Sequence, residues 1–311
     1  MADTLTPPVK FSHPDVTAKG ETRASVGWTG LKTLWLNTGT LCNIECANCY
    51  IESSPKNDRL VYLTLADVLP FLGELKDPAE IGITGGEPFM CPDILAIMEA
   101  ALQRGHSLLV LTNAMRPMMR PRIQTGLKDL AARYGARMTL RVSLDSHDAV
   151  LNDAERGEGA YAEACAGLEW LAQAGIPLAI AGRQSLHESE AAARDGYRAL
   201  ITRLGLAINA DDPKQLVLFP EMIARDDPPE ITTACWGILN KSPDSIMCSS
   251  QRMVVRRKGA SAPRVLACTL LVDDPAFDLG NTLAEATSAP VKLNHPWCAS
   301  FCVLGGASCS A

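Results

Sequence analysis

The sequence predicts an α/β protein: a partial (β/α)6 TIM-like barrel followed by a small C-terminal cysteine-rich α+β cap. Three observations carry that prediction. Six strand-sized apolar runs alternate with stretches of helical spacing from about Leu31 onward, the rhythm of a parallel sheet wrapped by helices. That rhythm breaks after about Asp227. Six of the eleven cysteines (235, 248, 268, 298, 302 and 309) then fall in the last quarter of the chain.

Residues 1–30 carry Pro7, Pro8, Pro14 and Gly20 without a sustained period, and are expected to form an irregular lead-in. The barrel is placed at 31–228. Its strands are Thr33–Asn37, Glu80–Thr84, Ser107–Thr112, Met138–Leu144, Pro177–Ala181 and Leu216–Phe219. Its helices are Leu65–Leu75, Pro92–Arg104, Pro121–Tyr134, Ala160–Ala174 and His187–Leu204. Pro92 suits a first helical turn, and Gly105, Gly135 and Gly175 stand where helices should stop. Residues 229–311 are expected to hold a hairpin, Arg252–Lys258 and Pro263–Leu271, followed by loops.

Composition excludes several classes. The chain has 311 residues, long enough to bury a core without staples, and 47% hydrophobic against 21% charged residues excludes general disorder. A formal charge of −6 without a polybasic run argues against nucleic acid as the main partner. The longest apolar runs, Leu108–Thr112 and Leu216–Phe219, are far short of the ~20 residues that span a bilayer. With no secretory signal in view, a cytoplasmic setting is expected, and the odd, unevenly spaced cysteines there point to metal ligation.

Cys42, Cys46 and Cys49 follow the first strand on one loop, so three thiolates can meet one metal centre. Structural zinc wants four protein ligands; a cubane held by three cysteines leaves one iron open for reaction. A distant cysteine such as Cys91 could complete a zinc site. After the second strand come Gly85 and Gly86, which allow close approach of backbone to a ligand, with Gly82 and Thr84 leaving space on the same strand. In Arg141–Asp145 the alternation puts Arg141, Ser143 and Asp145 on one face, costly for an internal strand unless polar partners or a ligand meet them.

Together these residues resemble the radical S-adenosylmethionine (SAM) superfamily. CxxxCxxC after a first barrel strand is similar to its cluster signature, and Gly85-Gly86-Glu87-Pro88 resembles its GGEP segment. The resemblance covers residues ~31–225. It departs at Asn48, where an aromatic is common, with Tyr50 following instead. It implies a [4Fe–4S] cluster on Cys42, Cys46 and Cys49, with SAM contacted by Gly85, Gly86, Glu87 and Pro88, by Ser143 or Asp145 at the ribose, and by Arg183 at the carboxylate. Thr112-Asn113 resembles a TNG-like turn with Ala114 in place of glycine, and the Arg156–Gly159 loop is given a structural role. Arg116, Arg120 and Arg122 can meet an acidic substrate or simply solvent.

The C-terminal cysteines are similar to the twitch or SPASM-type extension of that superfamily, which implies an auxiliary [4Fe–4S] cluster on Cys248, Cys268, Cys298 and Cys302. Cys235 or Cys309 could replace one of these, structural zinc is the competing occupant, and His295 is read as a loop residue. Cys165 reads as a small core residue.

The resemblance implies reductive cleavage of SAM to a 5′-deoxyadenosyl radical that takes hydrogen from a substrate, with an electron donor such as flavodoxin or ferredoxin. A small-molecule oxidation or rearrangement is the leading expectation, a peptide-modifying maturase the alternative. A non-catalytic iron–sulfur or zinc scaffold is the reading from another class.

Overall fold

The computed structural model describes residues 9–184, 188–220 and 226–305. The lead-in forms a two-residue strand, β1 (Ser25–Val26), which pairs antiparallel with Val291 and Lys292 near the other end of the chain. Arg23, buried beside it, reaches Glu230 at 2.5 Å and donates to the carbonyls of His13, Val16 and Leu293. The lead-in is therefore fastened to the C-terminal segment by a paired internal charge.

Six parallel strands then succeed one another across the sheet: β2 (Thr33–Asn37), β3 (Glu80–Thr84), β4 (Ser107–Thr112), β5 (Met138–Ser143), β6 (Leu178–Gln184) and β7 (Leu216–Pro220). The registers are regular, Thr33 opposite Glu80 and Glu80 opposite Ser107. The helices between them are α1 (Leu65–Glu74), α2 (Ile94–Gln103), α3 (Pro121–Tyr134), α4 (Ala149–Arg156), α5 (Ala160–Gln173) and α6 (Glu190–Arg203). Alternate strand residues Leu34, Leu36, Ile81, Ile83, Leu108, Val110, Leu140 and Val142 pack with helix residues such as Ile97, Leu127 and Leu168. Trp35, between Leu34 and Leu36, falls in a separate cluster with Leu109 and Met253 on the opposite face.

Several details differ from the sequence reading. Gly82 does not open space for a ligand: a Cβ there would stand 2.4 Å from the Trp35 ring. Helix α2 begins at Ile94 instead of Pro92, because the Asp93 carboxylate turns to accept from the Leu65 backbone N–H and ties the start of α1. Helix α4 has an inverted pattern, with Val150 and Leu151 exposed and Asn152 buried, so periodicity does not announce it. Its start is instead set by Asp148, whose side chain accepts from the backbone N–H groups of Val150 and Leu151.

The predicted hairpin forms, as β8 (Gln251–Val255) against β9 (Arg264–Leu266), and is continuous with the barrel sheet. Strand β8 runs parallel to β2, giving the order β7-β6-β5-β4-β3-β2-β8-β9. Helices α7 (Cys235–Leu239) and α8 (Leu283–Ala286), and strand β10 (Val291–Lys292), surround a second core of Ile246, Phe277, Leu293 and three buried cysteines. Among the described residues no helix is long and apolar enough to cross a membrane.

Candidate active site

The loop after β2 is shaped by hydrogen bonds that leave three thiols facing inward. Asn37 at the strand end accepts from the Gly39 N–H (2.9 Å), and the Cys42 N–H donates to Ser54 (3.1 Å). Ala47 N–H donates to the carbonyl of Glu155 (2.8 Å), while the Asn48 amide donates to both oxygens of the Glu155 carboxylate (2.9 Å). Asn48, where the family often has an aromatic, thus fastens the cysteine loop to α4.

Cys42, Cys46 and Cys49 all line one cavity of about 230 Å³ at the C-terminal ends of the strands. Thr84, Gly85, Gly86, Asn113, Ser143, Asp145, Arg156 and Arg183 complete its polar wall, and Tyr50 also lines it. Leu270 and Phe301 come in from the C-terminal segment, which therefore covers part of the mouth.

Among the described residues no other cysteine and no histidine lies in that wall. Cys91 is turned away, its thiol donating to the Leu63 carbonyl at 3.3 Å, so it does not supply a fourth ligand. Among the described residues no three His, Cys, Asp or Glu side chains draw together as one bound ion requires. A cubane held by three cysteines leaves its fourth iron open, whereas structural zinc wants four protein ligands. The donor set fits such a cluster better than zinc. Burial pushes the Cys42 thiol up to about 12, with the charges of Glu87, Cys46 and Cys49 acting in the same direction. Burial also raises Cys46, with Arg156 opposing it. Thiols held this high stay protonated at neutral pH until a metal displaces the proton.

The GGEP segment divides in two. Gly85 and Gly86 line the cavity, but a Cβ on Gly86 would lie 2.1 Å from the Leu41 carbonyl oxygen, so it is glycine because the cysteine loop lies against it. Glu87 and Pro88, expected from the resemblance to contact SAM, are buried and do not line the cavity. The Glu87 carboxylate accepts from Thr112 Oγ1 (2.9 Å) and the backbone N–H groups of Asn113 (2.9 Å) and Phe89 (3.1 Å). Burial raises its pKa to about 7 against those three donors. Glu87 braces the end of β4, and Asn113 passes the order on by donating to Asn43 (2.9 Å) beside Cys42. Ala114 holds a left-handed φ of +58°, the conformation for which glycine is the usual choice.

Ser143, Asp145 and Arg183 line the cavity, whereas Arg141 from the same face of β5 does not. Asp145 lies 2.9 Å from Arg156 and 3.6 Å from Arg183, so its charge is shared between two arginines. Arg156 was assigned a purely structural role in the sequence; it stands in the cavity wall, and its charge bears on Cys46. Ser53 was missed altogether. It lines the cavity, 4% exposed, and its hydroxyl has no hydrogen-bond partner among the described residues. Its backbone N–H donates to Cys49 Sγ at 3.3 Å, and proximity to the third cysteine is the only signal that could have found it. Neither Arg116, paired with Glu163, nor Arg120 or Arg122 reaches the cavity.

The four cysteines named for an auxiliary centre also meet. Cys248, Cys268, Cys298 and Cys302 line one apolar pocket with Ile246, Phe277, Val291 and Leu293, and none is in a disulfide. Cys248 precedes β8, Cys268 follows β9, and a wide π-helical turn, Cys298–Val303, carries the last two. Four thiols in an apolar shell are a donor set for a fully ligated cluster or for zinc. Burial pushes Cys248 up to about 11, with the Arg252 charge opposing it, and holds Cys298 well above the ordinary thiol range. Cys235 packs against this core from α7 but does not line the pocket; its sulfur lies 3.4 Å from the Thr232 N–H. His295 is absent from the lining, and its Nδ1 accepts from the Trp297 N–H (3.1 Å). Cys309 lies outside the described residues.

A parallel barrel with three cysteines after its first strand, glycines after the second and a charged mouth defines a radical SAM domain. Residues 36–183 match the family model of the Radical SAM superfamily. It is 32% identical over 145 residues to AlbA of Bacillus subtilis, an antilisterial bacteriocin subtilosin biosynthesis protein, spanning 45% of this chain and 30% of AlbA. It is 33% identical over 139 residues to the mycofactocin maturase MftC of Mycobacterium ulcerans, spanning 43% of this chain and 35% of MftC. The matched stretch is thus about a third of the length of each of these curated relatives. Among solved structures, Streptococcus suis SuiB bound to S-adenosylmethionine superposes with a TM-score of 0.59 at 13% identity, over 89% of this chain and 67% of SuiB. The same protein solved with its precursor peptide SuiA gives the same TM-score.

Proposed function

We propose that this chain is a radical SAM enzyme that modifies a peptide or protein. The observation that carries the reading is the cavity in which Cys42, Cys46 and Cys49 stand with no fourth cysteine or histidine among the described residues, beside the backbone of Gly85 and Gly86. A reduced [4Fe–4S] cluster bound there supplies the electron that splits SAM into methionine and a 5′-deoxyadenosyl radical. The chain's own residues bind and enclose. Gly85 and Gly86 present close backbone to the SAM amino group, Ser143 takes the ribose, and Arg183 takes the carboxylate. Asp145 and Arg156 keep Arg183 in place, since the three side chains form one ion-paired row. Leu270 and Phe301 restrict access of water and stray hydrogen donors.

A peptide substrate is favoured over the small molecule that the sequence alone put first. Of the curated relatives named above, one is by name a bacteriocin biosynthesis protein and the other a maturase, and SuiB was solved with a precursor peptide. The reading includes a second [4Fe–4S] cluster on Cys248, Cys268, Cys298 and Cys302, within residues 229–311, and a flavodoxin- or ferredoxin-like electron donor.

Anaerobic reconstitution with iron and sulfide, followed by SAM and dithionite, tests the enzyme reading. 5′-Deoxyadenosine is expected, and its absence with an intact, reducible cluster contradicts the proposal. Peptides encoded beside the gene are then assayed by mass spectrometry. A SAM-dependent mass change in one supports the substrate class, and a change only in a small metabolite contradicts it.

A further inference from the structure

Arg252, the second residue of β8, is 1% exposed. Its guanidinium donates to the carbonyls of Cys248 and Gln251 (both 2.7 Å) and Ala286 (2.9 Å). The Trp28 ring covers it, with its centroid 4.3 Å away. Every one of these partners is formally neutral. Arg23, which is also buried, and Arg156 in the barrel-mouth wall each meet a carboxylate. No described carboxylate forms an ion pair with Arg252. A buried cation without a counter-ion is among the more costly arrangements a fold can hold.

The nearest source of negative charge is the thiol pocket. Cys248 turns its side chain into that pocket while its own carbonyl receives the Arg252 N–H. Four thiolates around a [4Fe–4S] core leave a net negative charge, and one-electron reduction adds another. The three carbonyl bonds fix the guanidinium, so its charge stands at a constant place relative to Cys248 in both oxidation states. The cover of Trp28 and the apolar lining keep water from screening it.

We infer that Arg252 is a positioning residue for the C-terminal centre, the buried counter-charge of an anionic auxiliary cluster that favours its reduced state. This inference rests on the auxiliary-cluster reading above. It assigns to Arg252 a role in setting that cluster's potential, separate from catalysis at the barrel mouth.

The test is a dithionite redox titration followed by electron paramagnetic resonance on the reconstituted full chain. Wild type is expected to hold about eight irons and two distinguishable midpoints. Arg252→Gln should lower the auxiliary midpoint and leave the barrel-mouth cluster's midpoint unchanged, whereas Arg252→Lys should restore most of the difference. Should Arg252→Gln fail to fold, Trp28→Glu sets a carboxylate over the guanidinium without removing it. It should lower the same midpoint, with Trp28→Leu as its control. Two clusters whose midpoints ignore both charge changes overturn the role of Arg252 and leave the auxiliary cluster standing. About four irons in wild type, with zinc or nothing in the second pocket, overturn the auxiliary-cluster reading and this inference with it.

Discussion

The two thiol-lined cavities of this chain are built from the same ligand and differ in almost everything else. At the barrel mouth three cysteines share one loop, the wall is polar and charged, and the volume is about 230 Å³. In the C-terminal segment four cysteines arrive from three separate places in the chain, and the shell is apolar. Charge is handled differently too. Asp145 is shared by Arg156 and Arg183 at the mouth, while Arg252 behind the second pocket has no carboxylate partner among the described residues. The difference separates two tasks: an open corner beside a polar cavity can take a substrate-like ligand, whereas a filled set of four thiols can hold and pass an electron.

The largest expected effect breaks that comparison outright. Replacing Cys42, Cys46 and Cys49 by Ala should reduce 5′-deoxyadenosine formation at least ~1000-fold, removing the group that carries the chemistry, while about four irons remain in the C-terminal pocket. Iron analysis and product quantification check both halves.

Next in size is the brace beneath the mouth. Glu87→Gln replaces one acceptor oxygen by a donor opposite a backbone N–H, and should cost ~1–3 kcal/mol of stability in urea unfolding. The sign with pH follows from burial raising Glu87 to about 7. A raised carboxyl binds its proton more tightly in the folded state. Its contribution is therefore fully present below the unfolded value near 4.5 and is lost as pH rises towards 7. Wild type should lose more stability than Glu87→Gln between pH 5 and pH 8. Equal losses would show that Glu87 is already ionised at pH 5 in the folded chain.

The arginine row is expected to matter at the level of one good contact. Arg156→Gln frees Asp145 to turn on Arg183 and should weaken SAM binding ~10-fold, about 1.4 kcal/mol. Equilibrium binding to the reconstituted protein measures it, and unchanged affinity would return Arg156 to a structural role. Smallest of all, Ser53→Ala should raise the Kd for SAM only ~2–5-fold, the loss of one neutral hydrogen bond. Cys91→Ser should leave iron content unchanged, because that thiol faces Leu63.

Much of this was legible in the sequence, and the exceptions share a cause. Strands β2, β3 and β4 have the bounds that apolar runs and turn residues mark, because parallel strands buried on both faces leave little choice of residue type. The three cysteines of the mouth were legible because one loop holds them. Helix α4 was not, since its apolar residues face outward and its identity depends on the Asp148 cap. Long-range pairings were hidden as well. Nothing local marks β8 as the neighbour of β2, or Arg156 as the partner of Asp145 eleven residues away. The GGEP motif showed a different limit. Its glycines are in the wall, but Gly86 answers to the Leu41 backbone and Glu87 to the β4 turn, so a recognisable motif mixed ligand-facing residues with bracing ones.

One measurement bears on the central division most directly: electron paramagnetic resonance of the dithionite-reduced, reconstituted chain with and without SAM. In wild type SAM should alter one reduced-cluster signal and leave a second unchanged. The altered signal should vanish in the Cys42/Cys46/Cys49→Ala protein. A wild-type spectrum indifferent to SAM, or a SAM-responsive signal that survives the triple substitution, would contradict the assignment of the barrel mouth as the reacting centre.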